Sequence, residues 1–301
     1  MSRAGVTLRR DEQAERGAGR LRRSPRQAGR LYAVLAALAW SSAGILQRQL
    51  SVAAATQVAG RALFAFLALA ALLLSTTPGL LRVKWERSGA VMASALVVAS
   101  AAFVFALNHA TVAHVLVLQA LAPILAALLG FVALGEVVSR RTWLAMLIAV
   151  GGVVVMLGAP GGGSPLGEVL ALITAVAFAV VIVAARHGAG PSTLPLLCAS
   201  QFALVAIFAP LASTRHLSLG AVGWLALLGV GQTGLATAFF ALAARSLPSA
   251  EMALILLLEV VLGPLWAWIG VSEQPSPATL AGGAVVVVAV AIQMRSSPRT
   301  S

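Results

Sequence analysis

The sequence holds one aspartate, one lysine and one cysteine, and each scarcity removes a class of chemistry. Asp11 stands ahead of every apolar run, so no aspartate is placed to accept a phosphoryl group, hold a Walker B magnesium or build a membrane-embedded acidic metal site. Lys84 has no glycine-rich approach, which excludes a P-loop and a retinal-type Schiff base. Cys198 lies in an apolar run and excludes an internal disulfide, a cysteine zinc site and an iron–sulfur cluster. The histidines, His109, His114, His187 and His216, form no HExxH pair, and no Gly-x-Ser-x-Gly elbow occurs. ATP-driven pumping and intramembrane hydrolysis therefore lack their residues, and neither a cofactor nor a metal is expected. Charge itself is scarce: 10% of residues are charged and 60% hydrophobic, with a mean hydropathy of +0.96. Soluble domains carry about a quarter charged residues, so this chain belongs in a membrane. A helix needs about 20 residues to cross roughly 30 Å of hydrocarbon, which lets 301 residues make about ten crossings and leaves no large soluble catalytic domain.

What charge there is has a sign and a place. Lysine and arginine number 21 against 9 acids, a net +12 that invites a nucleic-acid reading. Position argues against nucleic acid, because nine arginines, Arg3 to Arg30, precede the first apolar run. Residues 1–30 read as a disordered cytoplasmic tail touching anionic lipid, and not as a cleavable signal peptide, since no short apolar core with a small-residue cleavage site follows. Ten apolar spans follow, at 31–47, 53–74, 89–107, 112–134, 143–157, 166–184, 194–211, 222–243, 252–271 and 280–294. With the N-terminus inside, the inner segments hold 18 lysines and arginines and the outer loops only Arg48 and Arg215. Both termini are expected in the cytoplasm, with residues 295–301 as a second short tail.

The chain also repeats itself. A slide of 137 residues places Glu136 on Glu273, Ser139 on Ser276 and Thr142 on Thr279, with Leu121, Leu125 and Leu128 falling on Leu258, Leu262 and Leu265. Leucine matches are cheap in such a chain, whereas a glutamate match among nine acids is not. The offset carries the fourth and fifth spans onto the ninth and tenth, giving two five-helix units at 31–158 and 166–294. An odd number of crossings per unit inverts the second relative to the first, an arrangement used by alternating-access transporters. The expected fold is thus all-α, with ten transmembrane helices in two inverted repeats.

Gly229-Val-Gly231-Gln232-Thr233-Gly234 fits the dinucleotide fingerprint, but it sits in an apolar run with no preceding strand. Close helix packing or local unwinding, with Gln232 facing the interior, suits it better. The remaining candidates are polar groups within spans, where a charged side chain costs about 3 kcal/mol or more. Arg61 lies about 12 Å into the second span at about 1.5 Å per residue, near the limit of snorkelling, and acts as an anchor or as a partner for substrate or acid. Glu259 is the deepest carboxylate, a candidate proton carrier, with a pair to Arg61 or a bond to backbone freed by a kink as the structural alternatives. His114 and Gln119 project about 140° apart on the fourth helix, before a kink at Pro123, and either line a site or pack. Trp40, beside Ser41 and Ser42, packs or floors a cavity. Glu136 and Glu273 close helices whose dipoles disfavour negative charge, so each needs a partner such as Arg140 or the amides opening the next helix, and both read as hinge or end-cap elements.

These residues resemble the EamA-type permeases of the drug/metabolite transporter superfamily. The stretch LLLEVVLGPLWAWIGVSE, residues 256–273, is similar to the family's Leu-Glu-Pro-Val, Pro-x-x-Ala and Gly-Glu pattern. Leu121-Ala-Pro123 through Leu134-Gly-Glu136 is similar to its first-repeat counterpart, and Arg61 matches an arginine common in helix 2. Val260 stands where the second repeat usually has proline and Ser272 where it has glycine, which makes Pro264 the substitute kink in helix 9. The resemblance implies secondary efflux of amino acids, other small metabolites or drugs across the bacterial inner membrane, through a cavity lined by helices 1, 3, 4, 6, 8 and 9. Protons or other ions are the implied coupling partners. The glutamate that the small multidrug branch carries in helix 1 has no counterpart here. The expected partners are a small-molecule substrate and membrane lipid, with no nucleic acid, and either a monomer or a homodimer is compatible. A membrane-embedded lipid-modifying enzyme and a non-transporting receptor or scaffold remain the alternatives in function.

Overall fold

A computed structural model describes residues 25–76, 86–110, 112–156, 164–188, 193–213, 215, 217–271 and 275–295, without the side chains of residues 113, 114, 117, 267 and 271. Glu273, Ser272 and residues 1–24 lie outside the described residues. Every regular element among the described residues is helical. The first half comprises α1 (Pro25–Ser41), a short α2 (Ala43–Gln47), α3 (Ala54–Thr76), α4 (Arg87–His109), α5 (Val112–Gln119), α6 (Ala122–Leu134) and α7 (Arg140–Met156). The second comprises α8 (Pro165–His187), α9 (Thr193–Phe208), α10 (Leu219–Ala226), α11 (Ala236–Ala244), α12 (Ser249–Leu256), α13 (Leu258–Val271) and α14 (Pro277–Arg295), with a π-helical stretch, Leu227–Leu235, joining α10 to α11.

Eight helical stretches among the described residues are long and apolar enough to cross a membrane, so this is a multi-pass membrane protein. They run Pro25–Gln47, Ala54–Thr76, Arg87–His109, Pro165–His187, Thr193–Leu211, Leu219–Ala244, Ser249–Gly270 and Pro277–Arg295. The other two expected spans correspond to the broken pair α5 and α6 and to the 17-residue α7, which fall short of that length. Side chains are distributed for lipid outside and close packing inside. Large apolar groups such as Val132, Leu219 and Ile269 face outward, while Ala33, Ala36, Ala37, Ala126, Ala149 and Ala289 are wholly buried. Small residues let backbones approach where no hydrophobic effect drives helices together. Gly152 on α7 and Gly282 on α14 show the limit of this, because a Cβ on either would run into the other's carbonyl oxygen.

The first helix begins at Pro25 and not at residue 31, so the tail expected over residues 1–30 is helical over its last six. Proline is favoured in a first turn, where its missing N–H would be unpaired in any case. The early start has a function in packing, since Arg26 and Arg30 both reach Glu251 at the head of α12.

The internal repeat found at an offset of 137 has a structural counterpart in its caps. Ser139 accepts from the Thr142 amide at 3.2 Å to open α7, and Ser276 accepts from the Thr279 amide at 3.1 Å to open α14. Helix breaks recur at the same offset. α5 ends at Gln119 and the chain turns through Ala120 and Leu121, with Pro123 in the first turn of α6. Its partner rod turns at Leu257, 137 residues after Ala120, where the Leu257 amide bonds back three residues to Leu254. The helix 9 kink was expected at Pro264, and this is corrected: Pro264 lies inside α13, and the break precedes Glu259 instead. Val260, at the position of the family's proline, is helical like Pro123, so the break does not depend on the ring.

Candidate functional site

The two breaks meet at a cavity of about 80 Å³ between the halves. Its charged residues are Arg61 and Glu259, at 4% and 7% exposure, and they form no ion pair with each other. Arg61, on α3, donates to the Ser100 carbonyl of α4 at 3.3 Å and makes no other hydrogen bond among the described residues. Glu259, in the first turn of α13, accepts from Gln119 Nε2 at 2.7 Å. Both structural alternatives read from the sequence, a pair with Arg61 and a bond to freed backbone, are therefore replaced by an amide bond across the two helix breaks. Gln119 closes α5, and its Oε1 is buried without a partner.

Gln232 also lines the cavity, from within the π-helical stretch, and accepts from Thr233 Oγ1 at 2.7 Å. The glycines of the false fingerprint account for that geometry. A Cβ on Gly229 would come within 2.4 Å of Phe64 Cβ and 2.6 Å of the Arg61 carbonyl, so α3 packs directly on the backbone there. π-Helical turns are frequent at functional sites, and this one places Gln232 and Thr233 along the cavity wall, with Thr237 following from α11.

Trp40 lines the cavity and also packs on its neighbours. Its ring meets Phe178 edge-on at 5.4 Å and Phe240 at 5.6 Å, and Tyr32 stacks on Phe239 at 6.2 Å one layer closer to the start of α1. His114 falls on α5, and its side chain lies outside the described residues. The cavity wall includes helices absent from the expected set, since α3 supplies Arg61 and α9 supplies Gln201. Gln201, at 1% exposure with an unpartnered Nε2, was not singled out in the sequence. A long polar amide in the otherwise apolar 194–211 run is the signal that could have found it.

Beyond the aromatic layer, a polar network links helices on the face where α1 begins. Glu136 pairs not with Arg140 but with Arg186 of α8, at 3.3 Å, and its other oxygen accepts from the Ser249 amide at 3.1 Å. It caps a helix of the opposite half. Gly135 makes this possible: at φ 66 it ends α6 in the left-handed region, and the Glu136 amide bonds back to the Gly130 carbonyl. Glu251, at 2% exposure, accepts from Arg26 and from Arg30, at 2.6 Å for the latter, while Arg30 also donates to the Met294 and Gln293 carbonyls at the end of α14. α1, α6, α8, α12 and α14 are thus tied together on one face. Among the described residues no cluster of three or more potential metal ligands occurs.

A helical membrane protein with a buried polar cavity between two similar halves has the architecture of a transporter. The EamA-like transporter family model matches residues 27–158 and 165–295, and the chain belongs to that family. It is therefore a member of a transporter family with two EamA repeats, working on small molecules within a lipid surround. One solved crystal structure superposes with a TM-score of 0.76 at 23% identity, covering 89% of this chain and 96% of the other, a likeness of fold. Comparison with curated proteins gives no significant match.

Proposed function

We propose that this chain is a secondary transporter that exports small metabolites, amino acids or drugs from the cytoplasm by alternating access. The observation that carries the reading is a buried cavity between the repeats holding a guanidinium and a carboxylate that do not pair with each other. Such groups are costly within a membrane protein, and a solute that partners them offsets the cost. The broken rod α5 and α6 and the short α7 complete ten crossings, five in each inverted repeat, in the inner membrane of a bacterium with both termini inside. The ionic and aromatic layers on the α1 side close the cytoplasmic path, and their release alternates with closure of the opposite face.

Glu259 couples the cycle to protons. It is held by one amide, has no cationic partner among the described residues, and lies at a helix break. Pro123, Leu257 and the Glu136 cap act as hinges at which the half-rods tilt. Counterflow in liposomes against a panel of amino acids, small metabolites and cationic drugs tests transport and substrate together, and an absence of exchange with every solute contradicts the reading. Glu259→Gln is expected to abolish flux driven by a pH gradient, with substrate binding weakened but not lost. Unchanged gradient-driven flux would remove Glu259 from the coupling step.

A further inference from the structure

We infer that the central cavity is bipolar, with a donor end built from Arg61 and Gln201 and an acceptor end built from Glu259 and Gln119, and that these two glutamines select zwitterionic solutes. The inference rests on the transporter reading and specifies which groups a transported molecule must present. Its starting point is two orphaned atoms. Gln201 Nε2, a donor, and Gln119 Oε1, an acceptor, are both buried without partners, and both residues line the cavity. A buried polar group left unpaired is costly, so each marks a place where a ligand atom of the opposite kind is needed.

Packing places each orphan beside a charge of matching character. On α9, Cys198 Sγ contacts the Phe66 carbonyl of α3 at 3.9 Å, and Leu204 clusters with Val58 and Ala62 of the same helix. Gln201 lies midway between these contacts on α9 and so stands beside the part of α3 that bears Arg61. Arg61 donates only to the Ser100 carbonyl through one Nη, leaving its other N–H groups for an acceptor. At the other end, Gln119 Nε2 is bonded to Glu259 Oε1, so Gln119 Oε1 and Glu259 Oε2 are neighbouring acceptors with no donor among the described residues. That end belongs to α1, α5 and α13: Trp266 donates to Ser41 Oγ at 2.7 Å, and a Cβ on Gly263 would meet Leu116 at 3.1 Å.

Donors gathered on α3 and α9 suit a carboxylate, and acceptors gathered on α5 and α13 suit an ammonium. A guanidinium with an amide N–H matches carboxylate oxygens, and a carboxylate with an amide oxygen satisfies two of the three N–H bonds of a primary ammonium. The cavity spans both ends. A neutral solute would leave both charges unpaired, and an ion of one sign would leave one.

The test uses the full chain in liposomes, preloaded and assayed with a mixture of radiolabelled L-alanine, L-serine and L-threonine, with their N-acetyl derivatives and methyl esters as competitors. In the wild type, each blocked analogue is expected to compete at least about tenfold more weakly than the parent, because a site built to hydrogen-bond a group rejects its absence. Gln201→Leu should lessen the discrimination against methyl esters and leave that against N-acetyl derivatives intact. Gln119→Leu should do the reverse. Should either leucine variant fail to fold, as judged by its melting profile in detergent, Gln201→Glu and Gln119→Lys reverse the donor or acceptor character at each end and are read in the same assay. Equal loss of both discriminations in each variant, or equal competition by blocked and parent compounds, overturns the bipolar assignment. Exchange of some other labelled solute, with none of these amino acids exchanged or competing, overturns the zwitterion assignment while leaving transport standing, whereas absence of exchange with any solute overturns the transporter reading itself.

Discussion

Single residues in this protein act through what surrounds them, and glycine gives the sharpest contrast. Gly229 and Gly231 stand two positions apart in the same π-helical stretch. At Gly229 a Cβ would meet Phe64 Cβ at 2.4 Å, the Arg61 carbonyl at 2.6 Å and the Ala65 amide nitrogen at 2.9 Å, and backbone atoms cannot swing aside. At Gly231 the nearest neighbour is the flexible tip of Leu227, at 3.6 Å. Gly229→Ala should therefore cost about 1–3 kcal/mol by overpacking, while Gly231→Ala should be neutral or slightly stabilising. Thermal unfolding of both variants in the same detergent checks this, and equal melting points would contradict a close α3 contact at Gly229. At this scale the sequence was only partly legible. Arg61, Gln119, Gln232 and Glu259 were readable because polar groups in apolar runs have few innocuous explanations, and all four reach the one cavity. Which of them pair was not readable, because the Gln119 to Glu259 bond joins residues 140 positions apart. Gln201 was missed because no motif surrounds it.

The ion pairs between helices lie at helix ends, which makes those ends sensitive points. Glu251 is buried against two arginines, and removing it takes both ion pairs from a helix junction where Arg26 stays one-third exposed and Arg30 keeps its carbonyl partners. Glu251→Ala is expected to cost about 3 kcal/mol, the low end of the range for breaking a buried pair. Glu136 is half-buried, and its loss removes the Ser249 cap together with a partly screened ion pair, for about 1–2 kcal/mol in total. Chemical denaturation in mixed micelles should rank Glu251→Ala below Glu136→Ala and both below the wild type. A reversed order would mean that the Glu136 cap carries the closure of this face. Apart from the start of α1, the sequence located these helices to within a few residues, and their partners poorly. Arg140 was the nearest cation to Glu136 in the chain, but the left-handed Gly135 turns Glu136 towards Arg186 and the head of α12. Pro264 was the expected substitute kink because Val260 stands where the family has proline. Within a bundle its lost bond is tolerated, and the turn at Leu257 is placed by the same geometry that turns the chain at Ala120.

For the molecule as a whole, the offset of 137 residues was the most informative feature of the sequence, because the Ser139/Ser276 and Thr142/Thr279 pairs it aligned form matching helix caps in the structure, which contains paired breaks as well. The charge bias has a counterpart of the same kind. Arg26, Arg30, Arg186 and Glu251 lie on the face tied by the ionic network, whereas Thr56 and Ser213 bond at the opposite end of α3 and α9, close in sequence to Arg215. If the arginine-rich face is cytoplasmic, the two sets of loops must differ in their access to reagents added outside the cell. The single cysteine makes the measurement clean, since Cys198 is buried against Phe66 and should resist an aqueous maleimide in the native protein. Arg215→Cys introduces an exposed thiol on one face, and His187→Cys introduces one on the other. In intact cells a membrane-impermeant maleimide is expected to label the Arg215→Cys protein and to spare the His187→Cys protein. Opening the membrane should then expose the second thiol, with the wild type unlabelled throughout. Labelling of the position 187 thiol in intact cells would invert the molecule, and with it the assignment of the ionic network to the cytoplasmic gate and the inference that the cycle runs in the direction of export.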